Sequence, residues 1–328
     1  MIKLAVDAMG MDKGSKVAVE GILDFLDTYK DVELTVFGKK EELTLLEGKC
    51  NIVDCNEVMG MEDGALAILR KKETSMIKAV DFAKSSEIDG VVSGGSTGAF
   101  LTAATVYLKL IDGVERAALV SPFPTKSGGN VIILDIGANS ENTPEQLVGF
   151  AKMGRIFAKS YNNIETPRVY LLSNGTEEKK GSDLVKETHQ LLKNSNFEGF
   201  KGNIEGRDVL YGEADVVVCG GFDGNVLLKT AEGTAKMMSD MMKEGFKKNI
   251  FTKVGYLFAR SGMNLIKERM NYKKYGGAML VGVNKVVVKA HGSSDGYSFF
   301  NALRVCYELA SKDMVSKLKE EMKKWESC

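Results

Sequence analysis

Short β-branched runs alternate with amphipathic stretches along most of the chain. Leu4-Ala-Val is followed by a helical pattern over 15–29, Val32-Glu-Leu-Thr-Val-Phe by one over 39–47, and Asn51-Ile-Val by one over 62–86. Gly90-Val-Val-Ser leads into a helix from about 97, Ala117-Ala-Leu-Val comes next, and Val131-Ile-Ile-Leu leads into a helix from about 143. Val169-Tyr-Leu-Leu and Val216-Val-Val-Cys extend the series. This alternation is the pattern of a parallel sheet covered by helices. It predicts an α/β protein with a wide, mostly parallel sheet of about eight strands in an α/β/α layered architecture.

From Gly224 to Tyr275 the pattern changes to a helical stretch rich in Met, Lys and Phe, with no strand-like run. It predicts a helical excursion, 224–275, within a single domain spanning 1–328. Strand character returns at Ala278-Met-Leu-Val-Gly-Val and Val286-Val-Val-Lys, and a last amphipathic helix runs from about Asp295 towards the end. There is no internal repeat or low-complexity linker, and four prolines are too few to mark a flexible hinge.

Composition narrows the function classes. A chain of 328 residues, 44% of them hydrophobic, has enough apolar material for a substantial core, which excludes a disordered or fibrous protein. Lys plus Arg equals Asp plus Glu at 44 each, so the basic excess typical of nucleic-acid binding is absent. Five cysteines without a paired pattern fit reduced thiols, and the two histidines, His189 and His291, are too few and too far apart for a zinc site. No metal is expected. The amino terminus enters a strand without a signal-peptide core, and no window reaches the ~18 apolar residues of a membrane span. A cytoplasmic protein is expected, with peripheral contact to a membrane still open.

Several strands end in residues that begin a Gly-rich turn: Asp7-Ala-Met-Gly, Ser93-Gly-Gly-Ser-Thr-Gly, Asp135-Ile-Gly-Ala-Asn, Ser173-Asn-Gly-Thr and Cys219-Gly-Gly-Phe-Asp-Gly-Asn. Ligands of open α/β sheets bind outside the carboxyl ends of the strands, so these turns are expected to line one crevice. In the second turn, glycines let backbone N–H groups approach a ligand, and the helix that follows adds about half a positive charge. The same turn could simply pack helix on strand, and it matches neither the dinucleotide fingerprint nor the P-loop. Thr176-Glu-Glu-Lys-Lys-Gly-Ser supplies Lys179 and Lys180 for phosphate or a developing oxyanion, without spacing that decides between them. Asn225 can offer its amide to an oxyanion or cap a helix, and His291 can act as base, ligand contact or buried structural group. No Ser-His-Asp order or nucleophile elbow is present.

Eight segments in order carry a resemblance. They are Asp7-Ala-Met-Gly-Met-Asp, Ser93-Gly-Gly-Ser-Thr-Gly-Ala, Leu134-Asp-Ile-Gly-Ala-Asn, Gly175-Thr-Glu-Glu-Lys-Lys-Gly, Gly202-Asn-Ile-Glu-Gly-Arg-Asp, Gly221-Phe-Asp-Gly-Asn-Val, Tyr275-Gly-Gly-Ala and Ala290-His-Gly-Ser-Ser. Together they resemble the phosphate acyltransferase (PlsX) family over almost the whole chain. The resemblance implies a Rossmann-like fold similar to phosphotransacetylases and isopropylmalate-type dehydrogenases, and a homodimer. It also implies acyl transfer from acyl carrier protein to inorganic phosphate, the acyl phosphate then serving a membrane glycerol-3-phosphate acyltransferase in phospholipid synthesis.

The resemblance places the family's catalytic lysine and asparagine at Lys180 and Asn225. Around phosphate or substrate the candidates are Asp7, Gly94, Gly95, Ser96, Thr97, Gly98, Asn139 and His291. Phosphate is already nucleophilic at neutral pH, so such a reaction needs positioning and charge stabilisation but no redox cofactor or covalent enzyme intermediate. The chain departs from the family pattern at Met11, where glycine is usual, at Ser96, where asparagine is usual, and at Gly220, where aspartate is usual. A phosphotransacetylase-type enzyme using acyl-CoA and a non-catalytic lipid or carrier-protein binding module stay open. A decarboxylating dehydrogenase would want clustered aspartates for a metal and a dinucleotide site, and neither pattern is found.

Between Lys243 and Lys274 there are nine basic residues and two acidic ones, a segment charge of +7 in a chain of zero formal net charge. Phe246, Ile250, Phe251, Tyr256, Leu257 and Phe258 are among the apolar residues interleaved with them. A basic amphipathic segment suits an anionic membrane surface or an acidic partner such as acyl carrier protein. The expectation is dimer packing for Gly224 to Met242, with Met237, Met238, Met241 and Met242, and partner or membrane contact beyond it.

Overall fold

The computed structural model describes residues 1–269 and 276–326. The amino-terminal part runs β1 (Ile2–Asp7), α1 (Lys16–Thr28), β2 (Val32–Gly38), β3 (Asn51–Asp54), α2 (Ser75–Phe82), β4 (Gly90–Ser93) and α3 (Thr97–Leu108). Then come β5 (Ala118–Pro124), β6 (Asn130–Leu134), α4 (Pro144–Tyr161), β7 (Val169–Ser173), α5 (Asp183–Asn194), β8 (Phe200–Glu205) and β9 (Val216–Val218). Two long helices, α6 (Gly221–Lys247) and α7 (Ile250–Arg269), lead to β10 (Ala278–Val281), β11 (Val286–Lys289), α8 (Gly296–Ser311) and α9 (Met314–Glu326).

The strands form one 11-stranded sheet in the order β3-β2-β1-β4-β11-β10-β5-β6-β9-β7-β8. It is α/β and mostly parallel. Successive side chains of a strand point to opposite faces, so each central strand feeds two cores. Leu4, Val6, Val92, Val288 and Leu134 face one core, with α1, α4, α8 and α9. Ala5, Val91, Val287 and Ile133 face the other, with α2, α3 and the first turns of α6 through Leu227, Leu228 and Ala231.

Three pairings are antiparallel, β11 with β10, β10 with β5, and β5 with β6. Three reversals leave β6, β9, β7 and β8 running opposite to β1, β4 and β11. The expected single crevice at one carboxyl edge is therefore corrected: the Gly-rich turns end at two opposite edges of the sheet. The tight turn between β5 and β6, where Thr125 N–H donates to Gly129 O, produces the last reversal.

Other departures are local. Segment 39–47 forms two one-turn 3₁₀ pieces instead of a helix, and 62–86 forms a 3₁₀ turn followed by the short α2. The predicted last helix is broken into α8 and α9, with Asp313 at φ +49° between them. The predicted excursion becomes α6 and α7, which pack on each other with Phe246 edge-on to Tyr256. Its last residues, 270–275, and Tyr275 of the Tyr-Gly-Gly-Ala motif lie outside the described residues.

Candidate active site

Two buried aspartates organise the turns from which the site is built. Asp7 ends β1, in register with Ser93 of β4, and its side chain points to the face covered by α2 and α3. One carboxylate oxygen accepts from Ser75 Oγ at 2.7 Å and Met9 N–H at 3.2 Å, and the other accepts from Ser93 Oγ at 2.6 Å. Ser93 Oγ in turn accepts from Gly95 N–H at 3.1 Å. Asp7 thus fixes the 93–97 turn through Ser93. Burial raises its pKa above the ordinary carboxylate value, and the bonds from Ser93, Ser75 and Met9 oppose that shift.

In that turn Gly94 and Gly95 are buried, and Met11 packs directly on Gly94, where a Cβ would meet its Cγ at 2.5 Å. The methionine that replaces the usual glycine thus closes the turn from above. Ser96 sits at the N-cap of α3 without a capping side-chain bond, whereas Thr97 and Gly98 are exposed in the first turn. The first amides of a helix have no partner within it, so this end presents free N–H donors and partial positive charge.

Asp135 does for the second turn what Asp7 does for the first. One of its oxygens accepts from the N–H groups of Leu119, Gly137 and Ala138, and the other from the backbone and side-chain nitrogens of Asn139. Burial raises its pKa against those bonds. Asn139 also donates to Ala117 O and accepts from Arg116 Nε at 2.7 Å, so its carboxamide is committed to holding the loop.

Helix α6 starts on this loop. Gly221 and Gly224 let its backbone touch Asn139 and Asp135, and a Cβ on Gly224 would overlap the Asp135 carbonyl oxygen. The N-cap is Gly220, which places Asn225 inside the helix and removes its capping role. Asn225 instead lies over Gly137, whose φ of +123° requires glycine, and its exposed carboxamide has no hydrogen-bond partner among the described residues.

One turn further along α6, Lys229 Nζ stands 3.4 Å from His291 Nε2 and 3.1 Å from Glu232. Residues four apart share a helix face and are separated by about 6 Å along the axis. A single turn of α6 therefore joins the 135–139 loop to the loop after β11, although the two end at opposite sheet edges. His291 accepts from Ser293 N–H at Nδ1, and burial followed by the Lys229 charge holds its pKa below the ordinary histidine value. Lys289, the last residue of β11, is 6% exposed and in register with Ser93, so Asp7, Ser93 and Lys289 stand side by side on one face.

Lys180 belongs to the turn after β7. Its stem packs on Gly175, where a Cβ would meet Lys180 Cγ at 2.8 Å, and its Nζ has no partner among the described residues. The turn is tied down by Asn203, whose Nδ2 donates to Glu177 O at 2.9 Å while His189 Nδ1 meets its Oδ1 at 3.0 Å. Leu184, at the start of α5, lies 3.7 Å from a Cβ built on Gly220, which sets this turn beside the start of α6. No hydrogen bond or ion pair joins Lys180 to Asn225 or to the 93–98 turn among the described residues. A separate cavity of about 380 Å³, lined by Thr125, Ser127, Tyr161, Arg168 and Asp215 among others, contains none of the candidates.

Sequence reading nominated Asp7, Asn225 and the 93–98 turn, gave Asp135 only as the start of a Gly-rich turn, missed Ser75 and Lys229, and assigned no role to Lys289. A lysine closing the apolar run Val286-Val-Val was the available signal for the last of these, because a buried strand has no solvent to receive a charge.

Comparison with known proteins gives the family. A family model described as "Fatty acid synthesis protein" matches residues 2–317. The phosphate acyltransferase of Caldanaerobacter subterraneus subsp. tengcongensis is 41% identical over 325 residues, covering 98% of this chain and 97% of its own length. The chain belongs to the phosphate acyltransferase family. Another phosphate acyltransferase, from Clostridium perfringens strain SM101, is 40% identical over 331 residues with the same coverage. Among solved structures, a branched-chain phosphotransacylase from Enterococcus faecalis V583 superposes with a TM-score of 0.62 at 16% identity, covering 94% of this chain and 99% of its own, and shares the fold. The chain is thus an enzyme of the phosphate acyltransferase family, with the phosphotransacylase type of sheet.

Proposed function

We propose that the enzyme transfers a fatty acyl group from acyl carrier protein to inorganic phosphate in the cytoplasm, releasing acyl phosphate for a membrane glycerol-3-phosphate acyltransferase. The observations that carry the reading are the uncapped, glycine-lined start of α3 and the unbonded carboxamide of Asn225, with one turn of α6 reaching from Asn225 to His291 in the loop after β11. The 93–98 turn holds phosphate. A phosphate oxygen attacks the thioester carbon, Asn225 and nearby N–H groups hold the carbonyl oxygen as charge builds on it, and Lys180 adds positive charge. Collapse breaks the C–S bond, and the carrier leaves as a thiol after taking up a proton.

Hydroxylamine trapping tests the donor. Purified protein given palmitoyl-acyl carrier protein and phosphate is expected to yield the hydroxamate, and a parallel tube with palmitoyl-CoA is expected to yield much less. Equal yields would favour the acyl-CoA reading, and no phosphate-dependent product in either tube would leave a binding module.

For the helical arm, we propose a homodimer contact through α6 from Gly224 to Met242 and contact with carrier protein or anionic lipid through α7. The exposed Met237, Met238 and Met241 support the first, and Phe251 and Phe258, 82% and 87% exposed beside Lys253 and Arg260, support the second. No helix among the described residues is long and apolar enough to cross a membrane, so lipid contact would be peripheral. Co-sedimentation with anionic vesicles is expected to be lost at high salt and on replacing both phenylalanines with serine. Binding indifferent to salt and to lipid charge would remove the membrane part.

A further inference from the structure

We infer that Lys289 is the cation that receives the attacking phosphate, a role that rests on the acyl-transfer reading and extends it to a residue outside the recognised motifs' catalytic pair. Three observations converge on it. The first is position. Lys289 closes β11 in register with Ser93, and Ser93 is in register with Asp7, so its side chain leaves the sheet on the same face and at the same edge as the 93–98 turn.

The second is its lack of an ion-pair partner at contact distance. The side chain is 94% buried, yet Lys289 makes no ion pair within 4.0 Å among the described residues, and its Nζ donates only to Ala290 O. Asp7 is the natural partner, but its oxygens are taken by Ser75, Ser93 and Met9. A buried ammonium with two unused donors and no paired carboxylate is costly unless an anion arrives.

The third is the surroundings, which favour an anion. The uncapped start of α3 presents free amides, Lys229 of α6 adds a second cation, and His291 has its ring beside it. The charged and titratable groups that act on Lys289 are Asp7 of β1, Asp12 of the following loop and Lys229 of α6. His291 and Glu232 interact with Lys229 next to them. From α2 the group at this place is the Ser75 hydroxyl, and α3 contributes amides.

Burial lowers the pKa of Lys289 to about 8, against the pull of Asp7 and Asp12. The cation is therefore present at neutral pH and is lost as pH rises through about 8. His291, held below its usual value, stays neutral over that range and does not contribute. Anion affinity should fall on the alkaline side, and Lys289→Arg, whose charge persists, should abolish the fall.

The test is calorimetric titration of the full chain with inorganic phosphate, and with sulfate as a probe whose own charge stays constant. Lys289→Met is expected to weaken both anions about tenfold or more at neutral pH, the loss of a charge-assisted hydrogen bond. It should also raise KM for phosphate while leaving KM for the acyl donor unchanged. Phosphate should raise the unfolding temperature of the wild type but not of Lys289→Met. Lys289→Arg is expected to keep sulfate affinity constant where the wild type declines.

Affinity of Lys289→Met within about twofold of wild type overturns the inference. If Lys289→Met does not fold, an alkaline decline in Lys289→Arg equal to that of the wild type overturns it as well. A wild type that makes acyl phosphate while Lys289 proves indifferent leaves the function standing without this residue. A wild type that makes none removes both.

Discussion

Asn225→Ala is expected to lower turnover by about 10²–10³-fold, the cost of removing one donor aimed at a developing oxyanion. The side chain is exposed, sits inside α6 instead of at its cap, and bonds to nothing among the described residues. Its removal therefore costs the fold little, within about 0.5 kcal/mol for a surface change away from caps and cores. The loss should appear in kcat with KM for phosphate unchanged, because the donor acts on charge that is present only in the transition state. Lys180→Ala is expected to behave in the same way, and the double variant should fall by less than the product of the two if both serve the same charge. Steady-state kinetics with acyl carrier protein substrate and denaturant melts of each variant check this. Near-normal turnover in either single variant removes that residue from the mechanism.

How much of this was legible in the sequence depends on range. Runs such as Val131-Ile-Ile-Leu and Val216-Val-Val were readable as strands because every residue is buried, and Asp135 after the first and the Gly220-Gly221 pair near the second marked their carboxyl ends. The edge strand β8 was not, since Phe200-Lys-Gly-Asn-Ile-Glu carries a central Gly202 and polar residues and pairs on one side only, with β7. Helix lengths over 39–47 and 62–86 were overread because apolar spacing does not show where the backbone tightens into a 3₁₀ turn.

Strand direction was the deeper gap. Burial patterns are the same for a strand running up or down, so the reversal across β10, β5 and β6 could be found only from pairing. The same limit hid part of the site. Asp7 was visible as the first residue of a turn, but its bond to Ser93, 86 positions away, arises from register between β1 and β4. Lys289 acquires its setting from the same register, and Asn225 acquires its position from glycines on both sides of a helix-to-loop contact.

That contact makes the strongest prediction for the fold. Gly224→Ala is expected to cost about 1–3 kcal/mol, the usual penalty for overpacking, although alanine is the better helix former by about 1 kcal/mol. A methyl group there would overlap the Asp135 carbonyl oxygen and stand 2.7 Å from Cys219 Sγ, and neither backbone nor strand-end thiol has room to withdraw. The helix start must lift instead, and it carries Asn225 and Lys229 with it. A displacement of about 1 Å at a positioned catalytic group is worth about 10²-fold in rate, so activity should fall further than stability. Gly245→Ala is the matched control, since it lies in the same helix with nothing within 4 Å of its Cβ position. It should be neutral or stabilising by up to about 1 kcal/mol and leave turnover unchanged. Urea denaturation and kcat measured on the two variants separate the cases. If Gly224→Ala turns over like the control, the start of α6 does not seat the catalytic group.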